Sequence, residues 1–200
     1  MSAPVVGRRE RTKAANRAAI LAAARDVFAE EGYGAVSVRD IVRRTDLASG
    51  TFYNYFPDKD AIFRALVMDA GEEARRRVRA ARRRALTAQD FVEGAYRAFF
   101  EFIIEDPEWF AFMRRNLDTL RTRFGDDVLP ASTDELAEDL RAAIAAGHVP
   151  PVDVDYCAHA MVAVGLEVGA RLAERDPPDV DGATRFAAAL FLGALGTLSA

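Results

Sequence analysis

Between Ser37 and Lys59 the chain spaces out groups that read hydrogen-bond patterns without carrying charge. Ser49, Thr51, Tyr53, Asn54 and Tyr55 bring hydroxyl, phenol and amide groups into one short stretch, and Gly50 among them leaves room for another backbone to come close. Ser37, Arg39, Arg43 and Lys59 stand around it. Neutral donors and acceptors on one helix, with cations beside rather than on it, suit a helix lying in a DNA groove: the neutral groups meet base edges and the cations meet phosphates.

Two helices must position these groups. Ser37 is a favourable N-cap, and Asp40 three residues on completes a Ser-x-x-Asp capping box. Val36 before the cap can staple onto Ile41. Val38, Ile41 and Val42 form an apolar stripe at helical spacing, with Arg39, Arg43 and Arg44 off it. The first helix is expected to stop near Thr45–Asp46, Asp46 accepting the left-handed backbone of a tight turn. Leu47 is expected to plug the angle between the helices. The second helix begins around Ala48–Ser49, with Ser49 as an alternative cap, and turns Phe52 and Phe56 inward. Pro57 ends it, because the residue before a proline is pushed out of the helical region.

The run Gly50-Thr51-Phe52-Tyr53-Asn54-Tyr55-Phe56-x-x-Lys59 resembles the signature of the TetR/AcrR family of transcriptional regulators. So does the upstream pattern, Phe28-Ala29-Glu30-Glu31-Gly32-Tyr33 followed by Ser37-Val38-x-x-Ile41. The resemblance covers roughly residues 12–66, and beyond it only length and helical layout are similar. Thr45-Asp46 stands where the family usually has Ala-Gly, and Ala48 where it often has Ser. The resemblance implies an all-α fold with three expected parts. Residues 1–57 form an N-terminal arm and three-helix helix-turn-helix domain, 58–84 a linking helix, and 85–200 a helical ligand-binding and dimerisation domain. An ordinary helical hairpin with no DNA role is the plain alternative.

Net charge is −4, which at first sight argues against a nucleic-acid partner. Its distribution reverses that: residues 1–84 hold 18 Lys/Arg against 11 Asp/Glu, and residues 85–200 hold 9 against 20. A basic front on an acidic body is the footprint of a DNA reader joined to something else. Arg8, Arg9, Arg11, Lys13 and Arg17 form an N-terminal arm that either follows a groove or backbone or is simply solvated. Arg75, Arg76, Arg77, Arg79, Arg82, Arg83 and Arg84 lie on the linking helix, where a solvated face, pairing with Glu72 and Glu73, or phosphate contact are the readings. The single Cys157 leaves no internal disulfide. The charged first residues carry no secretory signal, and no apolar run is long enough to span a bilayer, so a soluble cytoplasmic protein with no membrane partner is expected.

From about residue 87 the pattern is helical throughout. Helices are expected over about 90–104, from Pro107, over 132–146, over 153–174 and over 181–198, with Asp106-Pro107, Gly147 and Asp176-Pro177-Pro178 as stops. Nine of the 19 aromatics fall between Phe91 and Phe124. Such density suits an apolar chamber for a small hydrophobic effector, and plain core packing is the alternative. Phe99, Phe102, Ile103, Trp109, Phe110 and Met113 are the expected lining. Arg114, or Arg115 beside it, would meet an anionic head, and Tyr156 and His159 add polar groups. Glu167 has Arg171 one turn on, which is a sufficient partner. The segment from Phe102 to Arg115 loosely resembles regulators of fatty-acid metabolism, suggesting an acyl ligand; a hydrophobic cationic drug suits the acidic, aromatic body equally.

Gly165-x-x-x-Gly169 and the Ala/Gly-rich run after Phe186 permit close helix approach. The resemblance implies a homodimer through the last two helices, with Gly165, Gly169, Phe191 and Leu195 at the interface, reading a palindromic operator; intrachain packing is the alternative. No metal or cofactor is expected, since Cys157 and His159 lack further ligands. An enzyme is not expected either, for want of a nucleophile with a base or a phosphate-cradling loop. The leading expectation is a repressor released by its effector, and the rival is a structural DNA-binding protein that needs none.

Overall fold

The computed structural model describes residues 7–116, 122 and 131–198. Every element among them is a helix: α1 (Arg8–Glu31), α2 (Val38–Arg43), α3 (Ser49–Phe52), α4 (Lys59–Arg84), α5 (Ala88–Glu105), α6 (Pro107–Arg115), α7 (Ala131–Ala145), α8 (Val154–Ala173) and α9 (Val180–Leu198). The chain divides into two compact units, Met1–Asp69 and Ala70–Ala200, with the division inside α4.

In the first unit, α1 stops at Gly32, whose φ of +79° is a conformation that side chains disfavour, and whose N–H donates to Phe28 O at 3.0 Å. The core behind it is aromatic. Phe28 and Phe63 meet edge to face at 5.5 Å, and Tyr33 lies 4.6 Å from Phe63. Ile20, Ile41, Phe52 and Ile62 close around them without exposure. Lys59 ties the α1–α2 connection to the start of α4. Its ammonium donates to Tyr33 O and Val36 O, both at 2.9 Å, and sits 4.7 Å from the centroid of the Tyr33 ring.

The second unit is built around α5, which packs most extensively on α9 and also on α8 and α6. Local caps set the helix starts. Thr87 Oγ1 accepts from Asp90 N at 3.0 Å, Asp106 Oδ1 from Trp109 N at 2.9 Å and Asp153 Oδ1 from Tyr156 N at 3.1 Å. Pro107 opens α6 at its first position, and Gly147, at φ +75°, follows the end of α7.

From Arg75 to Arg83 the arginines of α4 are partnered by acids, and Arg82 is not on a solvated face. Arg75 pairs with Glu72, Arg76 with Glu73, and Arg77 with both Glu73 and Glu105. Those hydrogen bonds to Arg76 and Arg77 pull the Glu73 carboxyl down to about 2, so it stays ionised through any ordinary pH. Arg82 is only 7% exposed; its Nε donates to Asp139 Oδ2 on α7 at 2.9 Å, and a terminal nitrogen lies 2.7 Å from the same oxygen. Arg79 and Arg83 reach the same carboxylate at 3.9 and 4.0 Å.

Candidate nucleic-acid interface

The capping box at Ser37 forms. Ser37 N donates to Asp40 Oδ2 at 2.9 Å and the Ser37 hydroxyl donates to the same oxygen. Those two bonds, the hydroxyl's first, hold the Asp40 carboxyl below its ordinary range. Ser37 is thereby committed to capping α2. Arg39 and Arg43 are exposed, and Arg43 makes only a loose 3.5 Å pair with Asp40.

The turn between α2 and α3 differs from expectation. No described residue other than glycine has positive φ, so Asp46 is not left-handed. The Thr45 side chain closes the turn instead: its Oγ1 donates to Val42 O at 2.9 Å and accepts from Leu47 N at 3.3 Å. A hydroxyl thus serves where a Gly-containing turn would use backbone freedom. Leu47 is half-buried.

Ala48 is the N-cap of α3, in extended conformation and without a side-chain cap bond, so Ser49 is the first helical residue rather than the cap. The α-helix is also shorter than expected, ending at Phe52. Tyr55 N donates to Phe52 O at 2.9 Å, and Phe56 N to the same oxygen at 3.3 Å, carrying the chain through a turn well before Pro57. Phe52 and Phe56 are buried as expected. On the outside, Tyr53 is 57% exposed with its ring edge-on to Phe52 at 5.4 Å, Asn54 is exposed and Thr51 half-exposed. Tyr55 is half-buried, its hydroxyl accepting from Asn16 Nδ2 of α1 at 3.1 Å. That bond spans 39 residues and left no local trace in the sequence. A Cβ added at Gly50 would meet nothing within 4 Å, and its φ is not positive, so nothing within the chain calls for glycine there. The Ser49 side chain lies outside the described residues. Lys59 spends two of its three donors on the α1–α2 connection.

In the second unit the expected effector residues separate into two groups. Phe99, Phe102, Ile103, Trp109, Phe110 and Met113 are buried or half-buried on α5 and α6, with Phe99 edge-on to Phe110 at 6.3 Å and the Trp109 and Phe112 rings stacked at 5.1 Å. The Arg77 guanidinium covers Phe102 at 5.5 Å. Arg114 reaches α8, donating to Glu167 Oε1 at 2.7 Å and Leu166 O at 3.3 Å, whereas Arg115 is exposed. Glu167 is therefore the partner of Arg114, and Arg171 pairs with Glu174. Tyr156 and His159 do not join the aromatic group. Ala158, Met161, Gly165, Gly169 and Leu172 make the buried face of α8, which turns Tyr156 (76% exposed) and His159 outward. The His159 ring nitrogen Nδ1 instead lies 2.8 Å from Asp155 O.

The small-residue stripe is also internal. A Cβ at Gly165 would lie 3.4 Å from Tyr96, and one at Gly169 would collide with Ile103, so both glycines admit α5. Phe191 packs on the same core, 6.1 Å from the Tyr96 ring. Gly165, Gly169 and Phe191 thus serve intrachain packing, while the Leu195 side chain lies outside the described residues. Among the exposed residues of α8 and α9 are Tyr156, Phe186 (59% exposed) and Leu190 (49% exposed), with Ala160, Ala163 and Ala189, alongside charged Glu167, Arg171 and Arg185. No cluster of three or more potential metal ligands occurs among the described residues. No described helix is long and apolar enough to cross a membrane.

Residues 20–66 match the family model described as bacterial regulatory proteins, tetR family. Solved structures share the whole fold. The fatty acid degradation regulator FadR from Bacillus halodurans is 20% identical, with TM-score 0.76 over 94% of this chain and 96% of its own. FadR from Bacillus subtilis, solved in complex with stearoyl-CoA, is 21% identical, with TM-score 0.74 over 86% and 96%. A TetR-family transcriptional regulator from Pectobacterium atrosepticum is 24% identical, with TM-score 0.68 over 96% and 97%.

Proposed function

We propose that this chain, whose residues 20–66 match the tetR family of bacterial regulatory proteins, is a dimeric repressor released from a palindromic operator by a hydrophobic effector. The observation that carries the DNA reading is the row Thr51, Tyr53 and Asn54, displayed outward from two buried anchors, Phe52 and Phe56, beside a glycine that faces open space. Arg39 and Arg43 flank it for phosphates, with the remaining Lys59 donor. Ser49 and Tyr55 complete the proposed surface, and Ser37 sets its angle through the cap.

Two copies reading one palindrome would meet through the outward face of α8 and α9, where Tyr156, Phe186 and Leu190 leave apolar area open. The aromatic group of α5 and α6, with Arg114 at its edge, is the proposed effector site. An acyl effector is the reading that the stearoyl-CoA complex of the Bacillus subtilis structure supports. Such a ligand acts by population shift, weakening operator binding by its differential affinity for the two states of the dimer. The protein works in the cytoplasm.

The test is binding of the purified protein to duplex DNA from just upstream of its own gene, against random competitor. We expect Tyr53→Ala to weaken specific binding by about 1–3 kcal/mol, five- to about 150-fold, with the fold intact. An unchanged affinity would remove Tyr53 from the interface. Stearoyl-CoA is expected to release the duplex. Release by a hydrophobic cation instead would move the effector class, and release by neither would favour the effector-independent DNA-binding protein.

A further inference from the structure

Where α6 meets α8, the edge of the proposed effector group holds an ion pair rather than a free cation. Phe110 of α6 lies edge-on to Phe99, and a Cβ at Gly165 would stand 3.6 Å from the Phe99 ring, so the aromatic group touches α8 at that glycine. Leu166 and Glu167 follow it directly. Arg114, one turn beyond Phe110 and on the same face of α6, reaches both. It donates to Leu166 O at 3.3 Å and to Glu167 Oε1 at 2.7 Å.

The two partners are held unequally. The Arg114 side chain is 34% exposed and that of Glu167 is 69% exposed. The arginine is therefore anchored at the edge of the aromatic group, while the glutamate can swing into water at little cost. The other cation on this group differs: Arg77, over Phe102, is gripped by both Glu73 and Glu105. Among the described residues Glu167 is the one carboxylate paired with Arg114, so Arg114 is the cation whose partner can be exchanged. The pair engages both terminal nitrogens of the guanidinium, the edge that would take a carboxylate two-handed. An acidic ligand must displace Glu167, or lie beside it with two like charges around one cation. Either lowers its affinity. An uncharged chain end leaves the pair as it stands.

We propose that Glu167 is an internal competitor for Arg114, and so sets how far the effector site prefers acidic over neutral chain ends. This rests on the effector-site reading above. While Glu167 holds the arginine, the edge of the site is close to neutral and an acid gains little over an alcohol of equal length. Glu167 is thus a specificity-determining residue that need not touch the ligand.

The experiment titrates the full chain with dodecanoate and with dodecanol, equal chains with an acidic and a neutral end. The readout is the fluorescence of Trp109, the single tryptophan, which stacks on Phe112. Glu167→Gln keeps the shape of an exposed side chain and removes its charge. It should bind dodecanoate about fivefold tighter, the upper range for a partly exposed ion pair, with dodecanol unchanged. Glu174→Gln makes the same charge change on the partner of Arg171 and should match the parent with both compounds. In an Arg114→Gln background, Glu167→Gln should bring no gain, because the contested cation is gone. Unchanged dodecanoate binding in Glu167→Gln, an equal gain with dodecanol, or an equal gain in Glu174→Gln would overturn the competitor while leaving a site that still takes chains. If neither compound nor stearoyl-CoA binds the parent or any variant, the effector-site reading falls and the competitor with it.

Discussion

Asp139→Ala should destabilise the second unit by about 3–5 kcal/mol, the most costly single change expected there, because it strands a buried guanidinium. Arg82 is 7% exposed, and its Nε hydrogen bond and its closest ion-pair contact both end on Asp139 Oδ2. Burial already works against its charge, lowering the pKa of Arg82, and the Asp139 carboxylate is what opposes that. Removing the carboxylate leaves only the weaker field of Glu135 against desolvation. Arg79 and Arg83 lose the same neighbour, which adds mutual repulsion. Thermal or urea unfolding measures the loss directly. The paired variant Arg82→Met/Asp139→Met separates a stranded charge from lost packing, since replacing both ions by apolar groups is often neutral or stabilising. A double variant as unstable as Asp139→Ala, or a single variant within about 1 kcal/mol of the parent, would show that the pair is not what holds α4 to α7.

Phe63→Ala should abolish DNA binding without unfolding the second unit. Phe63 has no exposure and joins α4 to Phe28 of α1 and to Tyr33 between α1 and α2. Truncating a buried phenylalanine costs about 3–5 kcal/mol. At roughly 0.05–0.15 kcal/mol per residue, a unit of about 70 residues has only about 3–10 kcal/mol to lose. The elements that hold Thr51, Tyr53 and Asn54 in place would then be largely unfolded at growth temperature. The second unit has its own core around Phe91, Phe100, Ile103 and Leu140 and should persist. Limited proteolysis followed by mass spectrometry is the direct readout: cleavage should concentrate before Asp69, with the remainder protected. Simultaneous digestion of both halves would mean that the two cores stand or fall together.

What was legible in the sequence follows the range of the chemistry involved. Caps act within three or four residues, so Ser37, Asp106 and Gly147 announced their helix ends, whereas the caps at Thr87 and Asp153 came only with the structure. Phe52 and Phe56 declared an inward face by spacing alone. The length of α3 was harder, because Pro57 forbids helix beyond it but does not oblige the helix to reach it. The left-handed backbone expected at Asp46 fails in a similar way: propensity says which residues tolerate that conformation, not that the hydroxyl of Thr45 can remove the need for it. Chemical type alone suggests Tyr156 and His159, and helical phase, once Gly165 and Gly169 face α5, turns both outward. The stripe of small residues correctly implied a close neighbour but carried no label saying whether that neighbour belonged to the same chain. Asp139 had no signal at all, since an ion pair across 57 residues leaves no periodicity.

The chain has two lysines, and they sit in opposite chemical situations. The Lys59 amine is bound between two carbonyls and covered by a ring, while Lys13 is exposed. An amine-reactive label therefore turns the pair into a gauge and its reference on one molecule. Lys13 should react at once in the folded protein. Lys59 should stay unlabelled until the first unit opens, so the ratio of the two adducts measures unfolding in a single peptide map.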